Sequence, residues 1–161
     1  MSLLAILLCP AKAAEPTPTG WRRPTLAEVP ESWRNKSVSR FLVVRADFDG
    51  DGREDTAELL VTNDRKRFGM WVKGSLATHG DWKLLESGDA SLARIGIAKV
   101  PAGKYETACG KGYGEYACEH GEPNVLKLSR PAIDLFYRES ADTYFYWDAS
   151  RKQFVSVQMS D

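Results

Sequence analysis

Phe41-Leu42-Val43-Val44-Arg45-Ala46-Asp47-Phe48-Asp49-Gly50-Asp51-Gly52-Arg53-Glu54-Asp55-Thr56-Ala57-Glu58-Leu59-Leu60-Val61 is the stretch on which the fold turns. Its ends are apolar and its middle is acidic. Phe41 to Val44 is a compact run with β-branched residues. On the far side Ala57, Leu59 and Val61 alternate with Glu58, Leu60 and Thr62. Alternation with period two predicts a strand, since successive side chains of a strand point to opposite faces. Asn63-Asp64 then reads as a turn, too close behind Asp55 to leave room for a helix. The segment is therefore expected to run strand, loop, strand.

Moving outward, Phe68, Met70 and Val72 alternate again. Trp82 to Leu85, Ala93 to Val100 and Tyr105 to Cys109 follow, separated by Gly or Pro, with Pro101-Ala102-Gly103 as a tight connection. Ile133, Leu135 and Tyr137 fit a strand or a short helix. Tyr144-Phe145-Tyr146-Trp147, a polar Asp148 to Lys152, and then Phe154, Val155, Val157 and Met159 predict a hairpin. On the N-terminal side, Leu26, Val29 and Trp33 are spaced for one side of a short helix, interrupted by Pro30. The Pro- and Thr-rich residues 15–24 are expected to be a disordered lead-in. The expected fold class is α+β, predominantly antiparallel β with one or two short helices, in a single domain over residues 25–161.

The chain has 161 residues, with five Trp, six Tyr and six Phe, enough to bury a core. Lys plus Arg and Asp plus Glu both number 22, so no net charge draws the chain to nucleic acid or to anionic membranes. Leu3 to Cys9 is a short apolar run, and Ala11-Lys12-Ala13 is a small-residue cleavage pattern. Residues 1–14 are thus expected to be a signal peptide, placing the mature chain in the periplasm or outside the cell. Leu8 before Cys9 argues against a lipid anchor. No segment is long and apolar enough for a membrane helix, so integral membrane association is not expected.

Removing the signal leaves Cys109 and Cys118. An even pair in an exported chain predicts a disulfide, which would close a loop of about ten residues and stabilise by about 2.7 kcal/mol. The other reading is a metal site built from Cys109, Cys118 and His120, which has three ligands in view and no C-x-x-C spacing. Between the cysteines, Gly110-Lys111-Gly112-Tyr113-Gly114 is too glycine-rich for a regular element and lacks the ending of a phosphate-binding loop.

Asp47 to Glu58 fits the spacing D-x-[DN]-x-[DN]-G-x5-E. Calcium takes six to eight oxygens at roughly 2.3–2.6 Å, and carboxylates at alternate positions of a curled loop can all turn inward. Asp47, Asp49, Asp51 and Asp55 are the candidate side-chain ligands, Arg53 a carbonyl ligand, and Gly52 the sharp turn. Glu58 completes the pattern only if a helix follows, and a strand is expected there. Crowded acids also call for a compensating cation or for solvent. The alternative is a solvated hairpin turn, since Asp-Gly pairs form turns without metal.

The segment from Val44 to Ala57, an apolar strand entering D-x-D-G-D-G-x-x-D and a second strand leaving it, resembles one copy of an FG-GAP or VCBS-type calcium repeat. That resemblance covers about a tenth of the chain. It implies a calcium ion held by Asp47, Asp49, Asp51, Asp55 and the Arg53 carbonyl. Such motifs recur around a propeller, and this chain carries one copy and is too short for one. The loop is thus expected to organise the fold.

Elsewhere the signals for chemistry are sparse. His79 and His120 sit among glycines and charges, and no G-x-S-x-G elbow is present. Glu139 and Asp142 read as solvated charges, and Arg65-Lys66-Arg67 as a turn. Tyr144 to Trp147 must place alternate rings on opposite sheet faces. One set is expected in the core. The other, among Tyr144, Tyr146 and Trp147, is a candidate partner surface. The sequence therefore points to an exported non-enzymatic binding or interaction module with a calcium-stabilised loop and a protein partner. The alternative is a periplasmic inhibitor or immunity-type protein that blocks a toxin or hydrolase.

Overall fold

A computed structural model of the chain describes residues 16–29, 32–37, 39–74, 82–89, 91–112, 118 and 122–160. The expected signal peptide, His79 and His120 lie outside these residues. The architecture is antiparallel β throughout the described residues.

The organising strand is β3 (Asp55–Thr62), buried along nearly its whole length. On one edge it pairs with β4 (Arg67–Lys73), which pairs in turn with β5 (Trp82–Asp89). Its other edge is shared. β2 (Val43–Ala46) covers Asp55 to Glu58, and β1 (Trp21–Arg22) covers Val61 and Thr62. Between the two, the Leu42 carbonyl accepts the Leu59 N–H at 2.8 Å. These five strands form the first sheet. The second is β6 (Ile95–Val100), β9 (Ala132–Tyr137), β10 (Asp142–Asp148) and β11 (Gln153–Ser160), in the order β11-β10-β9-β6. The Phe41 carbonyl joins the sheets by accepting the Ile97 N–H at 2.8 Å.

Period two decides what faces what. Ala57, Leu59 and Val61 of β3, with Phe68, Met70 and Val72 of β4, meet Ile95, Ile97, Ile133, Leu135 and Phe145 of the second sheet in one core. The other face of the second sheet is covered by a ribbon of β7 (Gly103–Glu106) and β8 (Val125–Leu128). Leu126 and Leu128 pack there with Val100, Ala132, Val157 and Met159, and Tyr105, Tyr144 and Tyr146 close the edges.

Several expectations are corrected. No α-helix is found among the described residues, so the class is all-β rather than α+β. Two single 3-10 turns, Leu26–Glu28 and Ser32–Arg34, stand where a short helix was expected. Leu26 is exposed while Val29 is fully buried, so the helical spacing never becomes a packed face. The lead-in is ordered over residues 16–24. Its Trp21 ring packs edge-on against Trp71 at 5.2 Å, and the Trp82 Nε1 donates to the Pro16 carbonyl. The segment Tyr105 to Cys109 leaves the strand after Glu106. β8 was not anticipated. The hairpin is as expected, except that Asp148 pairs with Gln153 and shortens the loop to 149–152.

Arg34 is fully buried beside the core, donating to the Leu92 carbonyl at 2.7 Å and to the Ile95 carbonyl. Its guanidinium lies 4.0 Å from the centre of the Trp33 ring.

The lead-in is held most firmly at Arg23, which grips Glu58 bidentately through Nε at 2.7 Å and Nη2 at 2.8 Å. The Glu58 side chain is only 5% exposed, so its carboxylate depends on that guanidinium. Arg23→Met is expected to lower stability by about 1–3 kcal/mol, the cost of leaving a buried charged group short of a partner. Urea unfolding measures the loss, and limited proteolysis should cut the variant first within residues 16–22.

Candidate metal centre

The loop from Asp47 to Glu54 leaves β2 and returns into β3 across the paired residues Ala46 and Asp55. Its conformation is written by its own carboxylates. Asp47 Oδ1 accepts the Gly50 N–H at 2.6 Å, and its Oδ2 accepts the Gly52 N–H at 3.0 Å. Asp49 Oδ1 accepts from the Asp51 N–H at 3.0 Å, and Asp51 Oδ1 from the Arg53 N–H at 2.8 Å. Aspartates favour such turns because a short side chain can mimic a backbone carbonyl. Gly50 and Gly52 supply the left-handed backbone at φ +83° and +85°, which a side chain would resist.

Asp55 opens β3 and points inward with Ala57 and Leu59, at 1% exposure. Its Oδ2 accepts the Phe48 N–H at 2.8 Å and the Asp49 N–H at 3.3 Å. The bond turns the chain so that Phe48 enters the core, fully buried, and Asp49 is drawn to 7% exposure.

Asp47, Asp49 and Asp55 are thereby brought together. Each offers one oxygen, and these oxygens lie within 4.8 Å of one another. Two oxygens bound to one calcium at roughly 2.3–2.6 Å are separated by at most roughly 5 Å, so the spacing suits a shared ion. A Cβ placed on Gly74, just past β4, would stand 3.0 Å from Asp55 Oδ1 and 3.6 Å from Asp49 Oδ2. The trio therefore sits close against the Gly74 backbone.

The electrostatics follow from this packing. Burial raises the proton affinity of Asp49, opposed by its bond from the Asp51 amide. The charges of Asp51 and Asp47 act in the same direction as burial, and Arg130 acts against it. Arg130 comes from the connection between β8 and β9. Its guanidinium donates to the Asp49 carbonyl and lies against Gly50. No pattern near the acidic motif announces Arg130, which is 81 residues away along the chain.

Of the residues expected from sequence, the structure gathers Asp47, Asp49 and Asp55. Asp51 and Arg53 lie on the exposed side of the loop, outside the trio. Glu58 is three positions after Asp55 on a pleated strand, so it faces the other side of the sheet, where Arg23 holds it. Its expected place as a ligand is corrected accordingly. Cys109 and Cys118 form a disulfide, with their Cα atoms 4.8 Å apart. Tyr144 and Tyr146 are half-buried. They point to the side covered by the β7–β8 ribbon and pack against its core, and Trp147 lies edge-on to Phe154 at 5.4 Å. Arg65 reaches Glu28 at 3.4 Å, and Glu139 pairs with Arg138 at 3.2 Å. No helix among the described residues is long and apolar enough to cross a membrane. The chain matches no protein-family model, no curated protein and no solved structure.

The backbone bonds of Asp55 act with or without an ion. Asp55→Ala is expected to cost about 2 kcal/mol in the presence of a chelator, because two loop amides lose their acceptor. Asp51→Ala, at an exposed position, should stay within about 0.5 kcal/mol. Chemical denaturation of both variants in EDTA separates the two effects.

Proposed function

We propose that this chain is an exported, non-enzymatic binding or interaction module whose acidic loop is stabilised by calcium. The observation that carries the reading is the convergence of Asp47, Asp49 and Asp55, two of them buried, with oxygens close enough to share one ion. Three carboxylates in so small a volume repel one another, and a divalent cation relieves that repulsion. An all-oxygen donor set favours a hard cation, and a loop with further exposed oxygens suits calcium over the stricter octahedron of magnesium. Asp51, the Arg53 carbonyl and water would complete the shell. The ion would fix the β2–β3 connection and so the adjoining rim of the sandwich, a rigid surface for a protein partner.

Calorimetric titration of the purified protein with calcium tests this. Binding is expected in the range of roughly 10⁻⁴–10⁻³ M for a single extracellular-type site. If Kd is about 1 mM, 10 mM calcium should add about 1.4 kcal/mol of stability. Asp49→Asn should remove both signals while leaving the EDTA-treated stability near that of the parent. Absence of heat and of stabilisation at 10 mM calcium would sink the reading.

A further inference from the structure

The outer face of the second sheet carries a carboxyl group among rings and aliphatics. On β9, Ala132, Asp134 and Phe136 share that face by period two. The register sets Ala98 of β6 on one side of Asp134 and Tyr144 of β10 on the other. Tyr105 of β7 meets Tyr144 edge to face, with ring centres 5.5 Å apart, and this contact closes the β7–β8 ribbon over the sheet.

Asp134 Oδ1 is buried beside that contact and has no hydrogen-bond partner among the described residues. The groups that face it from each element are few. β6 presents Gly96, Ala98 and Val100; β7 presents Tyr105; β8 turns Leu126 and Leu128 inward; β11 brings Val157 and Met159. β10 contributes Tyr144 and Asp142, and Asp142 carries the same charge sign. Asp134 is half-buried, and ionisation leaves its Oδ1 with neither water nor a donor, whereas a protonated carboxyl avoids the charge penalty.

We propose that Asp134 is a proton-operated latch for the β7–β8 ribbon. Protonated, it lets Tyr105 and Tyr144 close over the sheet; on losing its proton to solvent it favours an opened ribbon that admits water to Oδ1. Consistent with this geometry, burial, and secondarily the charge of Asp142, push the Asp134 carboxyl up to about 7 from an ordinary 3.8. The sign follows from linkage. The closed form binds the proton more tightly than the open form, so closure is strongest below the ordinary carboxyl value. It weakens as pH rises toward about 7 and changes little above that.

Amide hydrogen exchange of residues 103–106 and 125–128, corrected for intrinsic rates, reads the latch. Between pH 5.5 and 8.5 the parent should lose about tenfold or more in protection, since a single coupled proton changes the equilibrium up to tenfold per pH unit. Asp134→Asn should hold its protection within about twofold over the same range. Asp142→Asn, at a half-buried and more tolerant position, should move the parent's midpoint to lower pH. Protection independent of pH in the parent, a parent-like pH dependence in Asp134→Asn, or an unmoved midpoint in Asp142→Asn would each overturn the proposal.

Discussion

The carboxylate of Asp55, bound to the amides of Phe48 and Asp49, is the constraint on which the loop and the core both depend. It sits at the first residue of β3, where the chain has just returned from the acidic excursion. By fixing the Phe48 amide it turns that ring into the core between the sheets, where Phe48 is fully buried. The loop is therefore continuous with the hydrophobic interior and not a surface ornament. Opening it would withdraw an aromatic side chain, a large share of a core residue's contribution. The same geometry draws Asp49 inward and crowds it against Asp47, the concentration of charge on which the proposed cation site rests.

The strands were legible where apolar residues recur at every second position. Ala57, Leu59 and Val61 of β3, Phe68, Met70 and Val72 of β4, Ile133 and Leu135 of β9 and the β10–β11 hairpin show that period, and these strands stand close to where it places them. The lead-in was misread for a definite reason. Proline and threonine between residues 15 and 20 describe a chain that cannot order itself, and it does not: it is ordered by distant partners. Arg23 is 35 residues from Glu58, and Trp82 is 66 residues from Pro16. Nothing local encodes such pairings. β8 has the opposite explanation. Val125-Leu126-Lys127-Leu128 alternates in and out as a strand should, but over too few residues to stand out from its surroundings.

At the acidic loop, spacing and pleat made separate statements. Spacing alone nominates Asp47 through Glu58. The pleat then discards Glu58, because three residues on a strand reverse the face, whereas the same step on a helix nearly preserves it. Asp51 matches the motif equally well, yet its carboxylate turns outward to the Arg53 amide. A motif fixes which residues are near in sequence, and the outgoing element decides which of them converge. Arg130 was invisible for the reason that hid the lead-in contacts: it reaches the loop from another part of the fold.

Asp55, fully buried, and Asp134, half-buried, differ in satisfaction more than in depth. Asp55 is the more deeply buried, but backbone N–H groups meet its carboxylate. Asp134 is less buried, yet its Oδ1 has no donor and the charge of Asp142 acts against its ionisation. Burial alone would rank them the other way. Donors turned toward an anion make a carboxylate a structural element, as at the loop. Their absence at Asp134 Oδ1 makes it a group whose neutral form the fold favours, and this contrast is the basis of the latch proposed for the ribbon over the second sheet.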